Sequence, residues 1–217
     1  MSVRIVLVDD HKIVRDGLRS LLESEEEIEV VAEAEDGRQA VETIRQSRPD
    51  IVIMDVGLPE LNGIDATRQI VGVAPGIKVI ALSIHSDTQF VSGMFSAGAS
   101  AYLLKNSAFE ELVLAISEVM TDQIYLSPRV AGVVVEDYVQ HLSGIKSPDS
   151  GALTEREREV LQLLVEGKAT GQVAHQLNVS PKTVATHRQH IMDKLDIHNL
   201  PDLTKYALRE GLTFLDE

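Results

Sequence analysis

The sequence predicts an α/β domain, a (βα)5 doubly wound parallel sheet, followed by a separate all-α domain of four helices. Three observations carry this reading. Short apolar runs punctuate the first 104 residues, with segments of helical period between them. The sheet pattern stops after Met120. Beyond a small, polar stretch from Ser143 to Gly151, the apolar residues recur only at helical spacing.

The runs are Val3 to Val8, Ile28 to Ala32, Ile51 to Met54 and Ile77 to Leu82, with a weaker fifth at Ala101 to Leu104. They are rich in Val and Ile and continuous rather than alternating, as strands buried on both faces of a parallel sheet are. Between them, Ile13, Gly17, Leu18, Leu21 and Leu22 form one helical stripe, and Ala40, Val41 and Ile44 another. Val130, Val134, Val135, Tyr138 and Val139 suggest one further helix from near Ser127, and the Ser143 to Gly151 stretch reads as an interdomain linker. In the remainder, Thr154 and Glu157 have capping-box spacing before a stripe of Val160, Leu161, Leu164 and Val165, stopped by Gly167. A short helix carries Val173, Ala174 and Leu177 and closes at Asn178-Val179. Ser180-Pro181 opens a third helix with Val184, Ile191 and Leu195 inward, and a fourth follows Asn199. Two helices joined by a short turn, the second basic on its outer face, match a helix-turn-helix. The expected boundaries are 1–122 for the sheet domain, 123–152 for a linker with one helix, and 153–217 for the helical domain.

A length of 217 residues suits one or two domains. No apolar run reaches the roughly 18 to 20 residues of a membrane span, and Arg4 interrupts the apolar segment near the amino terminus, so neither a membrane span nor a secretory signal is expected. The absence of cysteine excludes disulfides, a thiol nucleophile and a cysteine zinc site. A net charge of −14 argues against nonspecific coating of nucleic acid. The acid is concentrated in residues 1–150, with 12 basic against 24 acidic side chains, whereas residues 151–217 hold 8 against 10. Within the second segment, Lys182, Arg188 and Lys194 cluster between Ser180 and Lys194, which marks where nucleic acid binds if it binds at all.

Asp9 and Asp10 directly follow the first strand and Asp55 the third. Singly, such residues cap helices or line solvated loops. Three carboxylates at one rim repel one another unless a cation intervenes, and hard oxygen ligands suit Mg2+. Ser83 ends the fourth strand and Lys105 follows the fifth, supplying a hydroxyl and an ammonium suited to the oxygens of a phosphoryl group in transfer.

Val3-Arg-Ile-Val-Leu-Val-Asp-Asp-His11, Ile51-Val-Ile-Met-Asp55, Leu58-Pro59, Asn62-Gly63 and Ala101-Tyr-Leu-Leu-Lys105 resemble a response-regulator receiver domain over about residues 3 to 120. Thr154-Glu-Arg-Glu-Arg-Glu159, Val184-Ala-Thr-His187 and Lys194-Leu195 resemble a LuxR-type output domain, so the chain is similar to NarL/FixJ-type two-component regulators. The resemblance implies that Asp55 is the phosphoryl acceptor and that Mg2+ is held by Asp9, Asp10, Asp55 and the backbone carbonyl of Gly57. Lys105 and Ser83 then contact phosphoryl oxygens, and Tyr102 is an aromatic that swings inward on activation; its plainer reading is a half-buried strand tyrosine. Asn106 stands where many receivers have proline after the lysine, leaving the cis geometry usual there less secure. His11 and His85 lie just past strand ends, outside the expected chemistry.

In the third output helix, Lys182, Ala185, Thr186, Gln189 and Asp193 share the outer face. Gln189 suits an adenine edge, the Thr186 and Ala185 methyls suit thymine, and Lys182, Arg188 and Lys194 suit phosphates. Thr183 completes the expected DNA-contacting set, and His187 resembles the family's phosphate-contacting histidine or is a packed helix residue. Relatives often carry a basic residue at the positions of Ala185 and Gly171, which makes dimerisation more necessary here. The resemblance implies a cytoplasmic, phosphorylation-dependent transcription regulator, itself a phosphoacceptor rather than an enzyme. Its implied partners are a sensor histidine kinase, double-stranded promoter DNA, a second copy of itself when phosphorylated, and RNA polymerase. Two alternatives differ in class. An Mg-dependent aspartyl-phosphate hydrolase needs a second acid after the nucleophile, and a ligand-sensing LuxR-type regulator needs an enclosed pocket in the first domain.

Overall fold

The computed structural model describes residues 2–106, 109–142 and 153–213. By its contacts the chain divides into two compact units, Met1–Ile145 and Lys146–Glu217. The linker expected from Ser143 to Gly151 lies outside the described residues.

The first unit alternates β1 (Val3–Val8), α1 (Lys12–Leu22), β2 (Ile28–Ala34), α2 (Gly37–Ser47), β3 (Ile51–Asp55) and α3 (Gly63–Val73), then β4 (Lys78–Ser83), α4 (Thr88–Ala97), β5 (Ala101–Leu104) and α5 (Phe109–Met120). The expected (βα)5 pattern is present, with one addition. The sheet does not end at β5: Tyr125–Leu126 form a two-residue strand, β6, and the parallel order is β2-β1-β3-β4-β5-β6. Two residues carry no periodicity, which is why the sequence pattern stops at Met120 while the sheet does not. Helix α6 (Pro128–Leu142) follows at once. Expected as part of the linker, it packs against α4 within the first unit. Val130 is buried there, while Val135, Tyr138 and Val139 of the expected stripe are exposed.

Both faces of the sheet are covered, as the continuous Val/Ile runs require. Ile5, Leu7, Ile51, Ile53, Ile80 and Leu103 pack with Leu22 of α1 and Leu112, Ala115 and Ile116 of α5. Their strand neighbours Val6, Val8, Val52, Met54, Val79 and Ala81 are equally buried on the opposite face. Helix α1 is turned from its expected orientation. Ile13 is 82% exposed, and Arg15, Leu18 and Leu22 at i, i+3 and i+7 face inward instead. Arg15 can be inside because its guanidinium has two hydrogen-bond acceptors there, Glu33 and the Asp9 carbonyl.

The second unit comprises α7 (Glu155–Val165), α8 (Thr170–Gln176), α9 (Pro181–Leu195) and α10 (Leu200–Arg209) around Val160, Leu161, Leu164, Val173, Val184, Ile191 and Leu203. The Thr154–Glu157 capping box is complete. At α8, Ala169 has no side-chain acceptor, so the Gln172 N–H goes to the Ala169 carbonyl at 2.8 Å while the Ala169 N–H makes the return bond to the Gln172 side chain, also at 2.8 Å. Asn178 turns the chain between α8 and α9 with a left-handed φ of 57°, and Ser180 caps α9 through the Thr183 N–H.

Gly63 brings the start of α3 against the end of β3. A Cβ there would lie 2.1 Å from the carbonyl oxygen of Asp55 and 2.8 Å from the Cα of Val56, both backbone atoms with nowhere to go. Gly63→Ala is therefore expected to destabilise the first unit by about 1–3 kcal/mol in urea unfolding.

Candidate functional site

The site forms where the strand order reverses, since β1 has β2 on one side and β3 on the other. Val8 pairs with Met54, so Asp9 and Asp55 emerge side by side at the carboxyl ends of β1 and β3. On the far side Asp55 pairs with Leu82, and the Lys105 N–H donates to the carbonyl of Ser83 at 2.7 Å. Four strand ends thus bring Asp9, Asp55, Ser83 and Lys105 to one rim.

Asp9 and Asp55 are 2% and 6% exposed. Lys105 Nζ lies 2.7 Å from Asp9 Oδ2 and 2.7 Å from Asp55 Oδ2, bridging them. Burial pushes the Asp55 carboxyl above its ordinary range, the Lys105 charge pulls it back, and Asp9 adds to the rise. Burial alone would lower the Lys105 ammonium, but Asp55 and Asp9 outweigh it and raise its pKa. Asp10 and His11 complete the rim from the exposed side, with His11 Nδ1 at 2.8 Å from Asp10 Oδ1 and 3.3 Å from Asp9 Oδ1. Asp9, Asp10, His11 and Asp55 offer ligand atoms within 4.8 Å of one another. Three carboxylates face one ammonium there, an excess of hard anionic oxygen that fits a divalent cation. His11 therefore lies beside the oxygen ligands, just past the strand end.

Several residues hold this rim in place. The Gly57 N–H donates to Asp55 Oδ1 at 3.2 Å, and the His11 N–H to Asp9 Oδ1 at 2.8 Å. Asn62 caps α3 by accepting from the Asp65 N–H, and the Gly63 N–H bonds the Val56 carbonyl at 3.0 Å. Arg15, which the sequence reading missed, donates to the Asp9 carbonyl at 2.5 Å and to Glu33 Oε2 at 3.0 Å, while Arg19 donates to the other Glu33 oxygen at 2.6 Å.

Ser83 is buried, and the His85 N–H donates to its Oγ at 3.1 Å. Tyr102 is fully buried rather than half-buried. Its hydroxyl donates to the His85 carbonyl at 2.8 Å, and burial drives its phenol pKa upward. The His85 ring stacks on Phe90, with centroids 4.8 Å apart. No peptide bond among the described residues is cis, Lys105–Asn106 included.

In the second unit, α9 exposes Lys182, Ala185, Thr186, Arg188 and Gln189. Thr183 is a capping residue, its Oγ1 2.8 Å from Ser180 Oγ, and His187 is half-buried. Thr186 Oγ1 donates to the Lys182 carbonyl at 3.1 Å, and the Gln189 amide is assigned a bond to Asp193 Oδ1 at 2.8 Å. Lys194 is exposed too, and its Nζ lies 2.6 Å from Glu157 Oε2 of α7, so the cation expected to meet phosphates also pairs with a carboxylate of its own domain.

Lys105→Met leaves the buried Asp9 and Asp55 without their shared cation. It is expected to destabilise the metal-free protein by about 3–5 kcal/mol. An added divalent cation should recover more stability in this variant than it adds to the unsubstituted protein, both read by thermal unfolding. Glu157 generates a pH prediction. Burial pushes its carboxyl up, but Lys194 and the N–H and hydroxyl of Thr154 overcome this and hold it down to about 2, below the usual 4.5. A lowered acid stabilises the fold above its unfolded pKa and loses that contribution as pH falls through the folded one. Hydrogen exchange in residues 153–213 should therefore accelerate between pH 4.5 and about 2, and Glu157→Gln should flatten that limb.

Family models match both units: residues 5–117 match the response regulator receiver domain and residues 151–207 the bacterial regulatory proteins of the luxR family. The chain is 33% identical to the transcriptional regulatory protein DegU of Brevibacillus brevis, over 97% of this chain and 94% of that one. It is 36% identical to the response regulator UvrY of Escherichia coli, over 97% and 95%. A crystal structure of a LuxR-family two-component response regulator from Aurantimonas sp. SI85-9A1 aligns at 40% identity and a TM-score of 0.62, covering 64% of this chain and all but 1% of that one. With a receiver in one unit and a LuxR-type helix-turn-helix domain in the other, the chain belongs to the NarL/FixJ-type two-component response regulators, DNA-binding regulators of transcription.

Proposed function

We propose that Asp55 accepts a phosphoryl group from the phosphohistidine of a sensor kinase and that this transfer controls DNA binding by the second unit. The observation that carries the proposal is the ammonium of Lys105 lying 2.7 Å from both Asp9 and Asp55 at the switch point of the sheet. An oxygen of the Asp55 carboxylate attacks phosphorus, the P–N bond of the donor breaks, and the leaving imidazole takes up a proton. Asp9, Asp10, Asp55 and the Gly57 carbonyl would hold Mg2+, which supplies positive charge against the phosphoryl oxygens. Lys105 turns from carboxylates to a phosphoryl oxygen, and the Ser83 hydroxyl becomes a second donor. That the His85 N–H donates to this serine while the His85 carbonyl accepts from Tyr102 supports a role for the pair in sensing where the hydroxyl points.

The chain then acts as a phosphoacceptor that assists its own phosphorylation and dephosphorylation, not as an enzyme on other substrates. The residues after Asp55 are Val56, Gly57 and Leu58, which supply no general acid for a hydrolase. Among the described residues no helix is long and apolar enough to cross a membrane, which agrees with action in the cytoplasm on promoter DNA. Phosphorylation releases or dimerises the second unit, and bound DNA brings it to RNA polymerase.

Incubation with a small phosphodonor and Mg2+ should add one phosphate by intact mass and tighten binding to a selected duplex by about 5- to 150-fold. Asp55→Asn should show neither change. A stable phosphate on that variant at the unsubstituted rate would sink the assignment.

A further inference from the structure

The ion pair between Glu157 and Lys194 has no part in the reading above. Glu157, in the first turn of α7, is 4% exposed. Its Oε2 accepts from three donors: the Thr154 N–H at 2.9 Å, Thr154 Oγ1 at 2.9 Å and Lys194 Nζ at 2.6 Å. The first forms the capping box together with the Glu157 N–H, which donates to Thr154 Oγ1 at 3.3 Å. The third crosses 37 residues of sequence to the last turn of α9. One residue before Glu157, Arg156 donates to the Leu177 carbonyl at 2.6 Å, just past the end of α8. Helix α7 thus grips both members of the helix-turn-helix through consecutive side chains.

Lys194 also sits off the outer face of α9. Lys182, Thr186, Gln189 and Asp193, spaced by four, three and four residues, stack along one line. Lys194 falls about 100° round the helix from Asp193, on the flank shared with His187 two turns earlier. The other contacts of α9 with the rest of its core, through Val184, Ile191 and Met192, are apolar and non-directional, so they resist separation better than they resist rotation or sliding. A charge pair at a buried carboxylate is directional.

We infer that Glu157 and Lys194 are positioning residues for DNA reading: their pair fixes the tilt of α9 on α7, so that Thr186 and Gln189 reach base edges together, and Lys194 does not itself neutralise a phosphate. The inference rests on the reading that the outer face of α9 enters the major groove. Sites that read bases tolerate little displacement, so loosening the tilt costs discrimination before it costs attachment.

The test uses the full phosphorylated chain, a duplex selected by that chain from a random pool, and a scrambled duplex, titrated at several salt concentrations. Glu157→Gln keeps an acceptor for the capping box while removing the charge; Lys194→Met removes the other partner. Each is expected to weaken the selected duplex about tenfold, with the double variant no worse than the weaker single one, as in a coupled pair. Binding to the scrambled duplex and both salt slopes should stay as they were. Lys182→Ala, the phosphate control, should weaken both duplexes and lower the slope by about one unit. If Lys194→Met behaves like that control while Glu157→Gln leaves binding unchanged or tighter, Lys194 is a phosphate contact and the inference is overturned. It is equally overturned if both variants lose the two duplexes in proportion to their unfolded fraction, measured by thermal unfolding. Failure of the unsubstituted chain to select any duplex refutes the DNA-binding reading instead.

Discussion

Two buried carboxylates that must share one cation are the constraint on which the first unit depends. The register of β1 against β3 fixes Asp9 and Asp55 side by side, and neither is more than a few per cent exposed. Like charges in such a place cannot both ionise unless a positive group meets them. Lys105 meets them from the end of β5, reaching across β4, which lies between β3 and β5. The same crowding explains Gly63, where any side chain would collide with the Asp55 carbonyl, and Arg15, whose guanidinium satisfies the Asp9 carbonyl from inside α1. A site held this tightly by one ammonium is poised for exchange: a divalent cation arriving at the rim would compete with Lys105 for the same oxygens.

What happens at that rim is wired to the far edge of the sheet. The Ser83 hydroxyl accepts from the His85 N–H, and the His85 carbonyl accepts from the Tyr102 O–H. The Tyr102 carbonyl in turn accepts the Ser127 N–H at 3.0 Å, where β6 gives way to α6. One strand residue therefore touches the site through its side chain and the exit of the first unit through its backbone. The buried phenol thus ties a strand edge, rather than a loose loop, to the rim.

The parts of this arrangement legible in the sequence were those tied to strand ends. In a parallel sheet, residues immediately after continuous apolar runs converge, so Asp9, Asp10, Asp55, Ser83 and Lys105 could be grouped without coordinates. Arg15 could not, because a charged residue on a short amphipathic helix reads as outward, and only its two acceptors show why it turns in. Strand β6 is too short to leave a pattern. Tyr102 reads as half-buried because a strand tyrosine needs a partner for its hydroxyl to go fully inside, and that partner is a backbone carbonyl 17 residues away. Lys194 reads as a phosphate ligand for the same kind of reason, since helix position reveals a charge but not the carboxylate waiting for it on another helix.

That last point bears on how the second unit holds DNA. The charged residues of α9 are Lys182, Arg188, Asp193 and Lys194. With Asp193 acidic and Lys194 proposed to be held by Glu157, Lys182 and Arg188 are the cations that reading leaves on this helix for phosphates, in a domain whose total charge is slightly negative. Affinity from counterion release grows with the number of phosphates neutralised, each adding about 0.9 to the salt slope. Two such contacts attach a helix weakly. A second copy on the same duplex doubles them and turns the second binding step into an intramolecular one, gaining far more than either copy contributes alone. A nearly neutral output domain therefore makes occupancy of DNA depend on bringing two copies together, and leaves the strongly acidic first unit, where phosphate is proposed to arrive, as the place where that pairing can be governed.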